Sequence, residues 1–172
     1  MSDLIPVLSK EEIEAAVAKL AKKISADYRN RELVLVGVLK GAFVFLADLI
    51  RHLTIEVKVD FVRLASYGMN HSSSGTVRLT KELEIDIENQ DVLIVEDIID
   101  TGLSLTFLVD HLKSFKPRTV RVCTMIDKRE RRETGIRVDY AAHVAEKGFL
   151  VGYGLDYAEF YRNLPAVYDL KL

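Results

Sequence analysis

An unbroken apolar run that leads into a cluster of acids constrains the fold of this chain more than any other feature. The run, Val92–Val95, has the length and the β-branching of a strand buried on both faces. After a short turn, Leu105, Leu108, Val109 and Leu112 recur at helical spacing. A doubly buried strand followed at once by a helix is typical of α/β proteins with a parallel sheet.

The rest of the chain alternates in the same way, so we predict an α/β sandwich with a mostly parallel sheet. Ser9 and Glu12 read as a capping box for a helix that opens the chain. Its apolar stripe is Ile13, Val17, Leu20, Ala21 and Ile24. The later predicted elements are a strand at 33–38, a helix at about 42–53, a strand at 57–65, a weaker strand pair near 77–79, and a strand–helix–strand unit from 92 to 126.

The length of 172 residues predicts a single domain without a second one. A net charge of −2 argues against a broad nucleic-acid surface. No apolar stretch is long enough to cross a bilayer, and no basic-then-apolar leader is apparent. We therefore expect a cytoplasmic protein that binds neither nucleic acid nor membrane.

The turn after the apolar run combines acids with a predicted phosphate cradle. Glu96 and Asp97 follow the strand, and Thr101–Ser104 should form the first turn of the helix. Free N–H groups at such an end bind phosphate, and Gly102 allows a close approach. Carboxylates beside a phosphate would repel it unless something lies between them, and the two obvious groups are a sugar diol and a divalent cation such as Mg²⁺. The alternative is that Asp100 and Thr101 only cap the helix while the acid pair faces solvent.

Two further segments have the composition of ligand loops. Leu39-Lys40-Gly41 also lies between a buried strand and an apolar helix, so it predicts a second anion cradle or an ordinary turn with Lys40 in solvent. A polar loop begins at Ser66 and Tyr67 and runs to about residue 76. It is either a lid that is mobile when the site is empty or a plain hairpin loop.

The run at 92–104 resembles, almost residue for residue, the phosphoribosyl pyrophosphate (PRPP) motif of the type I phosphoribosyltransferases, and its wording looks like the hypoxanthine-guanine branch of that family. The resemblance extends from about residue 33 to 165. It includes Leu39-Lys40-Gly41, Ser66-Tyr67, Asp127-Lys128-Arg129 and Val151–Asp156 in the family's order. Two positions depart from the family pattern. Ala42 stands where many relatives have Gly, and Leu103 stands where some relatives have Lys.

The resemblance implies a three-layer sandwich with a lid at about 66–76 and a small hood formed by 138–172 plus the N-terminal segment. It also implies a role for each candidate residue. Pyrophosphate would be bound by Lys40, Gly41, Ser66, Tyr67 and Arg162. The ribose hydroxyls would be bound by Glu96 and Asp97, and the 5′-phosphate by Thr101, Gly102, Leu103 and Ser104. The purine would be bound by Lys128, Phe149, Leu150 and Asp156. Mg²⁺ would be held by Glu96, Asp97 and Asp156, and Asp100 would be the general acid/base.

From the residues alone, some of these roles have plain alternatives. Phe149 is equally compatible with a place in the core, and Arg162 with a place on an exposed turn. The charged run at 127–133, apart from Lys128, is compatible with a solvated loop. The resemblance implies that Lys128 donates to the exocyclic oxygen of a 6-oxopurine, and since an ammonium has donors only, it would favour that oxygen over the amino group of adenine.

The expected reaction joins PRPP to N9 of hypoxanthine or guanine and yields IMP or GMP and pyrophosphate. The alternatives are a PRPP-sensing regulator and a transferase that prefers xanthine or a pyrimidine. Relatives are dimers or tetramers, so we expect a homodimer or homotetramer.

Overall fold

A computed structural model describes residues 3–67 and 76–172, with only the backbone of Tyr67. Three helices occur in these residues: α1 (Lys10–Asp27), α2 (Phe43–His52) and α3 (Leu103–Lys113). The strands are β1 (Asp3–Leu8), β2 (Leu33–Leu39), β3 (Val57–Tyr67), β4 (Thr76–Lys81), β5 (Asp91–Ile99), β6 (Thr119–Lys128), β7 (Tyr140–Ala145), β8 (Leu150–Val151) and β9 (Val167–Lys171).

The centre of the fold is a six-stranded sheet in the order β4-β3-β2-β5-β6-β7. Neighbouring strands in it are parallel, except that β4 runs antiparallel to β3. The mostly parallel sheet predicted from the sequence is therefore confirmed. Strand β2 and the first half of β5 are central and buried, which is why their apolar runs at 33–38 and 92–95 are continuous.

Helices cover both faces of this sheet. The apolar stripe of α1 and the buried side of α2 pack with Leu33, Leu35 and Leu93 on one face. On the other face α3 packs with Val34, Val36 and Ile94. Consecutive residues of one strand thus enter different cores, and the predicted three-layer arrangement is confirmed.

The capping box predicted for α1 is present. The backbone N–H of Ser9 donates to Glu12 at 2.8 Å, and the N–H of Glu12 donates to the Ser9 hydroxyl at 3.1 Å. The prediction that the chain opens with this helix was wrong, because β1 precedes it. Strand β1 pairs with β9, which lies at the far end of the sequence. Local sequence patterns carry no information about such a distant partner.

A smaller sheet, β1-β9-β8, forms the hood. The predicted boundary at residue 138 placed Tyr140–Ala145 in the hood. The structure instead has this segment as β7, paired in parallel with β6 at the edge of the central sheet. Within the described residues, the hood strands are β1, β8 and β9.

Other boundaries moved by a few residues for identifiable reasons. Strand β5 continues to Ile99, so the acid pair lies within it, and α3 begins at Leu103 because Gly102 has a φ of 86°, which lies outside the helical region. The weak strand pair predicted near 77–79 is the single strand β4. Most of the predicted lid, residues 68–75, lies outside the described residues.

Across 3–67 and 76–172, none of the helices combines the length and the apolar character needed to cross a membrane.

The core beneath α3 should dominate the stability of this side of the sheet. Leu108 is 0% exposed, whereas the adjacent Phe107 is 37% exposed. We expect Leu108→Ala to lower the free energy of unfolding by about 2–5 kcal/mol, and Phe107→Ala by less than about 1 kcal/mol. Urea denaturation monitored by circular dichroism measures both, and equal losses would contradict this packing.

Candidate active site

The candidate site begins with two adjacent carboxylates near the end of β5. Glu96 and Asp97 are half-buried, and their chain bends so that the N–H of Asp97 donates to Glu96 Oε1 at 3.2 Å. The N–H of Ile98 donates to Asp97 Oδ1 at 2.7 Å. The pKa of Glu96 is raised well above its ordinary value, mainly by burial and secondly by the charge of Asp97. Burial also raises the pKa of Asp97, although the hydrogen bond with Glu96 and the charge of Arg162 oppose this.

The loop after β2 packs directly on this acid pair. A Cβ at Gly41 would overlap the Asp97 carboxylate, so only glycine fits there. The Leu39–Lys40 peptide of the same loop is cis. On the other side of the loop lies Gly154, which has a φ of 97° and whose Cβ would overlap the carbonyl oxygen of Gly41. Segments near residues 41, 97 and 154, distant in sequence, therefore meet at one point.

A pocket of about 230 Å³ opens beside the acid pair, lined by Glu96, Ile98, Ile99, Asp100, Thr101, Gly102, Ser104 and Leu105. The first turn of α3 supplies one wall, and its cap residue, Gly102, contributes no side-chain hydrogen bond. The N–H of Leu103 donates to the Thr101 hydroxyl at 3.3 Å. The first N–H groups of a helix have no partner within the helix and suit an anion. Glu96 and the first turn of α3 thus line one concavity, whereas Asp97 is adjacent to Glu96 in sequence but does not line it.

Asp100 lies between this pocket and the loop after β6. Its carboxylate is 3.7 Å from Lys128 Nζ and 3.4 Å from a guanidinium nitrogen of Arg131. Its Oδ1 atom is buried without a hydrogen bond among the described residues. A buried carboxylate oxygen with an ion-pair partner but no hydrogen bond calls for an explanation, and a catalytic role is one. Lys128 is itself buried, at 7% exposure.

Arg132 is a site residue that sequence reasoning missed. Its guanidinium donates to the carbonyl oxygens of Asp100 at 3.0 Å, Ile99 at 3.3 Å and Lys128 at 2.9 Å, and also bonds to the Asp127 carboxylate. It therefore joins the end of β5 to the loop that carries Lys128. The prediction of a solvated loop was wrong at this position. The charged run at 127–133 gave no local signal of it, because a buried Arg and an exposed Arg look alike in sequence.

The predicted purine side lies along the hood. Phe149 is 44% exposed, which argues against the core alternative, and its ring meets that of Tyr157 edge to face at 5.5 Å. The N–H of Phe149 donates to Asp169 Oδ1 at 3.1 Å. The pKa of Asp169 is lowered by Lys171, by the backbone N–H of Phe149 and by the charge of Lys128. Asp169 is a second residue that sequence reasoning missed. Leu150 is buried in β8 directly after Phe149.

The predicted pyrophosphate cations are engaged with carboxylates. Arg162 donates to the Gly154 carbonyl at 2.7 Å and pairs with Asp156 at 3.1 Å. Lys40 pairs with Glu159 at 2.9 Å, and this hydrogen bond lowers the pKa of Glu159. The alternative of Arg162 on an exposed turn is wrong, because its side chain is 20% exposed and its Nε is buried without a hydrogen bond among the described residues.

The predicted metal ligands do not form one preformed cluster. In the part of the chain that is described, no three Asp, Glu, His or Cys side chains converge tightly enough to hold an ion alone. Glu96 and Asp97 are adjacent, whereas Asp156 pairs with Arg162. The acid pair still suits Mg²⁺, because carboxylate oxygens are ligands that Mg²⁺ prefers and Mg²⁺ usually completes its shell with water and substrate oxygens.

Two predicted residues remain apart from this constellation. Ser66 is exposed near the end of β3, on the same edge of the sheet, and its backbone pairs with Val77. The side chain of Tyr67 lies outside the described residues.

A larger groove of about 880 Å³ lies between α1, α2 and the segment at 153–165. Its walls include Ile13, Val17, Phe43 and Leu164. It has neither the acid pair nor the amides of α3. The chemistry therefore points to the smaller pocket as the candidate site.

Comparison with known proteins shows the family of the chain. A family model described as the phosphoribosyl transferase domain matches residues 7–158. The chain is 45% identical over 166 residues to a hypoxanthine-guanine phosphoribosyltransferase of Aquifex aeolicus, covering 96% of this chain and 93% of that protein.

Solved structures give the same result. A hypoxanthine-guanine phosphoribosyltransferase of Bacillus anthracis superposes with a TM-score of 0.91 at 40% identity, covering 99% of each chain. A hypoxanthine phosphoribosyltransferase of Staphylococcus aureus superposes with a TM-score of 0.93 at 39% identity, covering 96% of this chain and 90% of that one.

The raised pKa of Glu96 predicts that its charge destabilises the empty protein. A carboxyl whose pKa is raised on folding stabilises the fold below its unfolded pKa, and this stabilisation is lost as the pH rises through the folded pKa. We expect Glu96→Gln to raise the free energy of unfolding at pH 8 by about 0.5–2 kcal/mol. The gain should disappear near pH 4.

Urea denaturation at the two pH values measures this effect. Glu88→Gln, at an exposed position, is the matched control and should change little. A loss of stability in Glu96→Gln at pH 8 would mean that the acid pair is compensated within the empty protein.

Proposed function

The chain belongs to the phosphoribosyltransferase family, and we propose that it transfers the 5-phosphoribosyl group of PRPP to N9 of hypoxanthine or guanine. The products are IMP or GMP and pyrophosphate, as in a purine salvage enzyme. The observation that carries the proposal is the single pocket in which Glu96 and the first turn of α3 lie together.

Each part of PRPP has a matching surface in this arrangement. The 5′-phosphate fits the first turn of α3, where Thr101, Gly102, Leu103 and Ser104 offer amides and hydroxyls. Leu103 adds no cation, so backbone dipoles carry more of the binding there. The ribose hydroxyls donate to Glu96 and Asp97. The pyrophosphate lies toward the loop of Lys40 and Gly41 and toward Arg162, with Ser66 and Tyr67 on the same edge of the sheet.

Mg²⁺ is the proposed cofactor, with Glu96, Asp97 and Asp156 as the residues that would hold it. When bound, it would neutralise the negative charge that develops on the departing pyrophosphate.

The chain's own groups then assist the transfer. As pyrophosphate departs, the sugar gains cationic character, and the carboxylates of Glu96 and Asp97 stabilise that charge. Asp100 accepts or shares the proton at N7 of the purine while N9 attacks C1′ of the ribose. Arg132 positions Asp100 by binding its carbonyl oxygen at 3.0 Å.

Selection of an oxopurine follows from Lys128. Its buried ammonium has only donors, so it would be left unpaired opposite the amino group of adenine. Phe149 offers its exposed ring to the flat base, while the backbone at Leu150 and the nearby Asp156 border the base edge.

The cytoplasmic location stays a prediction.

The assembly proposed from the sequence is a homodimer or homotetramer. The large groove between α1 and α2 supports self-association. Phe43 is 47% exposed, and the groove that it lines combines apolar side chains with both signs of charge, among them Lys10, Glu14, Asp48 and Arg51. A surface of this kind can pair with a second copy of itself.

The role of Asp100 is tested by Asp100→Asn, which keeps the shape but cannot accept the proton. General acid–base groups typically contribute about 10² to 10⁴ in rate, so we expect the turnover number to fall by on the order of a hundredfold or more. The Kd for PRPP should change little. Formation of IMP from PRPP and hypoxanthine with Mg²⁺ measures the first quantity, and calorimetry measures the second. An unchanged turnover number would remove Asp100 from this role.

The proposed interface is tested by Phe43→Glu, which introduces a charge at the centre of the groove. We expect the oligomer to dissociate at micromolar concentration, as measured by light scattering after gel filtration. Phe115→Glu is the control, since Phe115 is similarly exposed, at 44%, but follows α3 on the opposite face of the sheet. Dissociation by both variants, or by neither, would contradict the proposed surface.

A further inference from the structure

Four charged side chains close the pyrophosphate end of the site into one network. Glu159 pairs with Lys40 at 2.9 Å and with Arg162 at 3.5 Å. Arg162 also pairs with Asp156 at 3.1 Å, and the second oxygen of Asp156 accepts the N–H of Glu159 at 2.9 Å. Both cations assigned to pyrophosphate therefore have carboxylate partners before any ligand arrives.

The backbone holds Glu159 in this bridging position. Ala158, Glu159 and Tyr161 have φ values of 50°, 70° and 79°, a left-handed conformation that ordinary side chains seldom adopt. Tyr157 and Phe160 close the turn with two reciprocal backbone hydrogen bonds, at 3.1 and 3.0 Å. Such strain is tolerated where the surrounding structure enforces it, and it concentrates at functional sites. The turn thus presents one carboxylate to two cations from different parts of the chain.

Glu159 is well placed to be exchanged for a ligand. Its side chain is 65% exposed and that of Lys40 is 47% exposed, so water reaches both partners. Exposed ion pairs are weak and break readily. Arg162 is different, because its side chain is 20% exposed and is fixed by the Gly154 carbonyl at 2.7 Å. Loss of the Glu159 pairs would therefore leave Arg162 in place with an open position.

We propose that Glu159 is a positioning residue that occupies the pyrophosphate subsite as an internal counter-ion and gives way when pyrophosphate binds. This inference rests on the proposed function, which assigns Lys40 and Arg162 to that ligand. Glu159 keeps the two cations from repelling each other and from capturing unrelated anions in the empty site. It also competes with the product, which weakens the binding of pyrophosphate and speeds its release.

The alternative is that Glu159 only stabilises the turn at 156–161. The two roles predict opposite changes in ligand binding. A purely structural Glu159 would hold the cations in a productive position, so its loss would weaken pyrophosphate binding or leave it unchanged. A competing Glu159 would, on removal, release Lys40 and leave Arg162 with Asp156 as its one carboxylate partner among the described residues, and so make binding tighter.

The experiment measures the binding of inorganic pyrophosphate to the full chain by calorimetry, first in EDTA and then with Mg²⁺. We expect Glu159→Gln to bind about two- to tenfold more tightly than the wild type in both conditions, given the modest strength of exposed ion pairs. Glu159→Asn should behave in the same way, and its side chain tolerates the positive φ. The KM for PRPP should fall in parallel, while the KM for hypoxanthine should not change.

The matched control is Glu32→Gln. Glu32 is 64% exposed and pairs with Lys58 at 3.3 Å, remote from the site, so this variant removes the same charge from a similar pair. It should leave the Kd for pyrophosphate unchanged.

Weaker or unchanged binding in both Glu159 variants, while the wild type binds pyrophosphate, would overturn this inference and leave the proposed function intact. A wild-type protein that binds no pyrophosphate in either condition would contradict the proposed function itself.

Discussion

The contact between the Asp97 carboxylate and the backbone of Gly41 is the constraint on which the site depends. It brings the loop after β2 onto the end of β5, and it leaves no space for a side chain at position 41. Gly154 closes the same contact from the hood, so three distant segments are held together where parallel strands end. Burial raises the pKa of both Glu96 and Asp97, which disfavours their charged forms, and a cation or hydroxyl donors would stabilise those forms.

The rest of the site balances charge around that pair without a surplus of cations. Lys128 faces Asp100, and Lys40 and Arg162 face Glu159 and Asp156. Under the proposed function, phosphate binding at α3 would rely on backbone amides, since Leu103 brings no charge. This explains how a chain with a net charge of −2 can present a site suited to an anionic substrate. If Glu159 gives way to pyrophosphate as proposed, binding would exchange internal ion pairs for ligand contacts, and the affinity would be set by the difference in free energy between the two.

Much of the fold could be predicted, because local patterns determine it. Periodicity located α1, α2 and α3, the runs at 33–38 and 92–95 marked central strands, and the capping box at Ser9 is present. What failed was non-local. Strand β1 depends on β9, some 160 residues away by number, and β7 joins the central sheet through β6. The same holds within the site. The acid pair and the first turn of α3 are contiguous in sequence and could be read directly, whereas Arg132 and Asp169 act through backbone atoms of other segments. No residue type or spacing signals such contacts.

The most direct measurement is a crystal structure of the protein with PRPP, Mg²⁺ and an unreactive purine analogue. The 5′-phosphate should lie at the first turn of α3, the ribose hydroxyls on Glu96 and Asp97, and the base between Phe149 and Lys128. Electron density for PRPP in the groove between α1 and α2, or a sugar that does not touch the acid pair, would contradict the account.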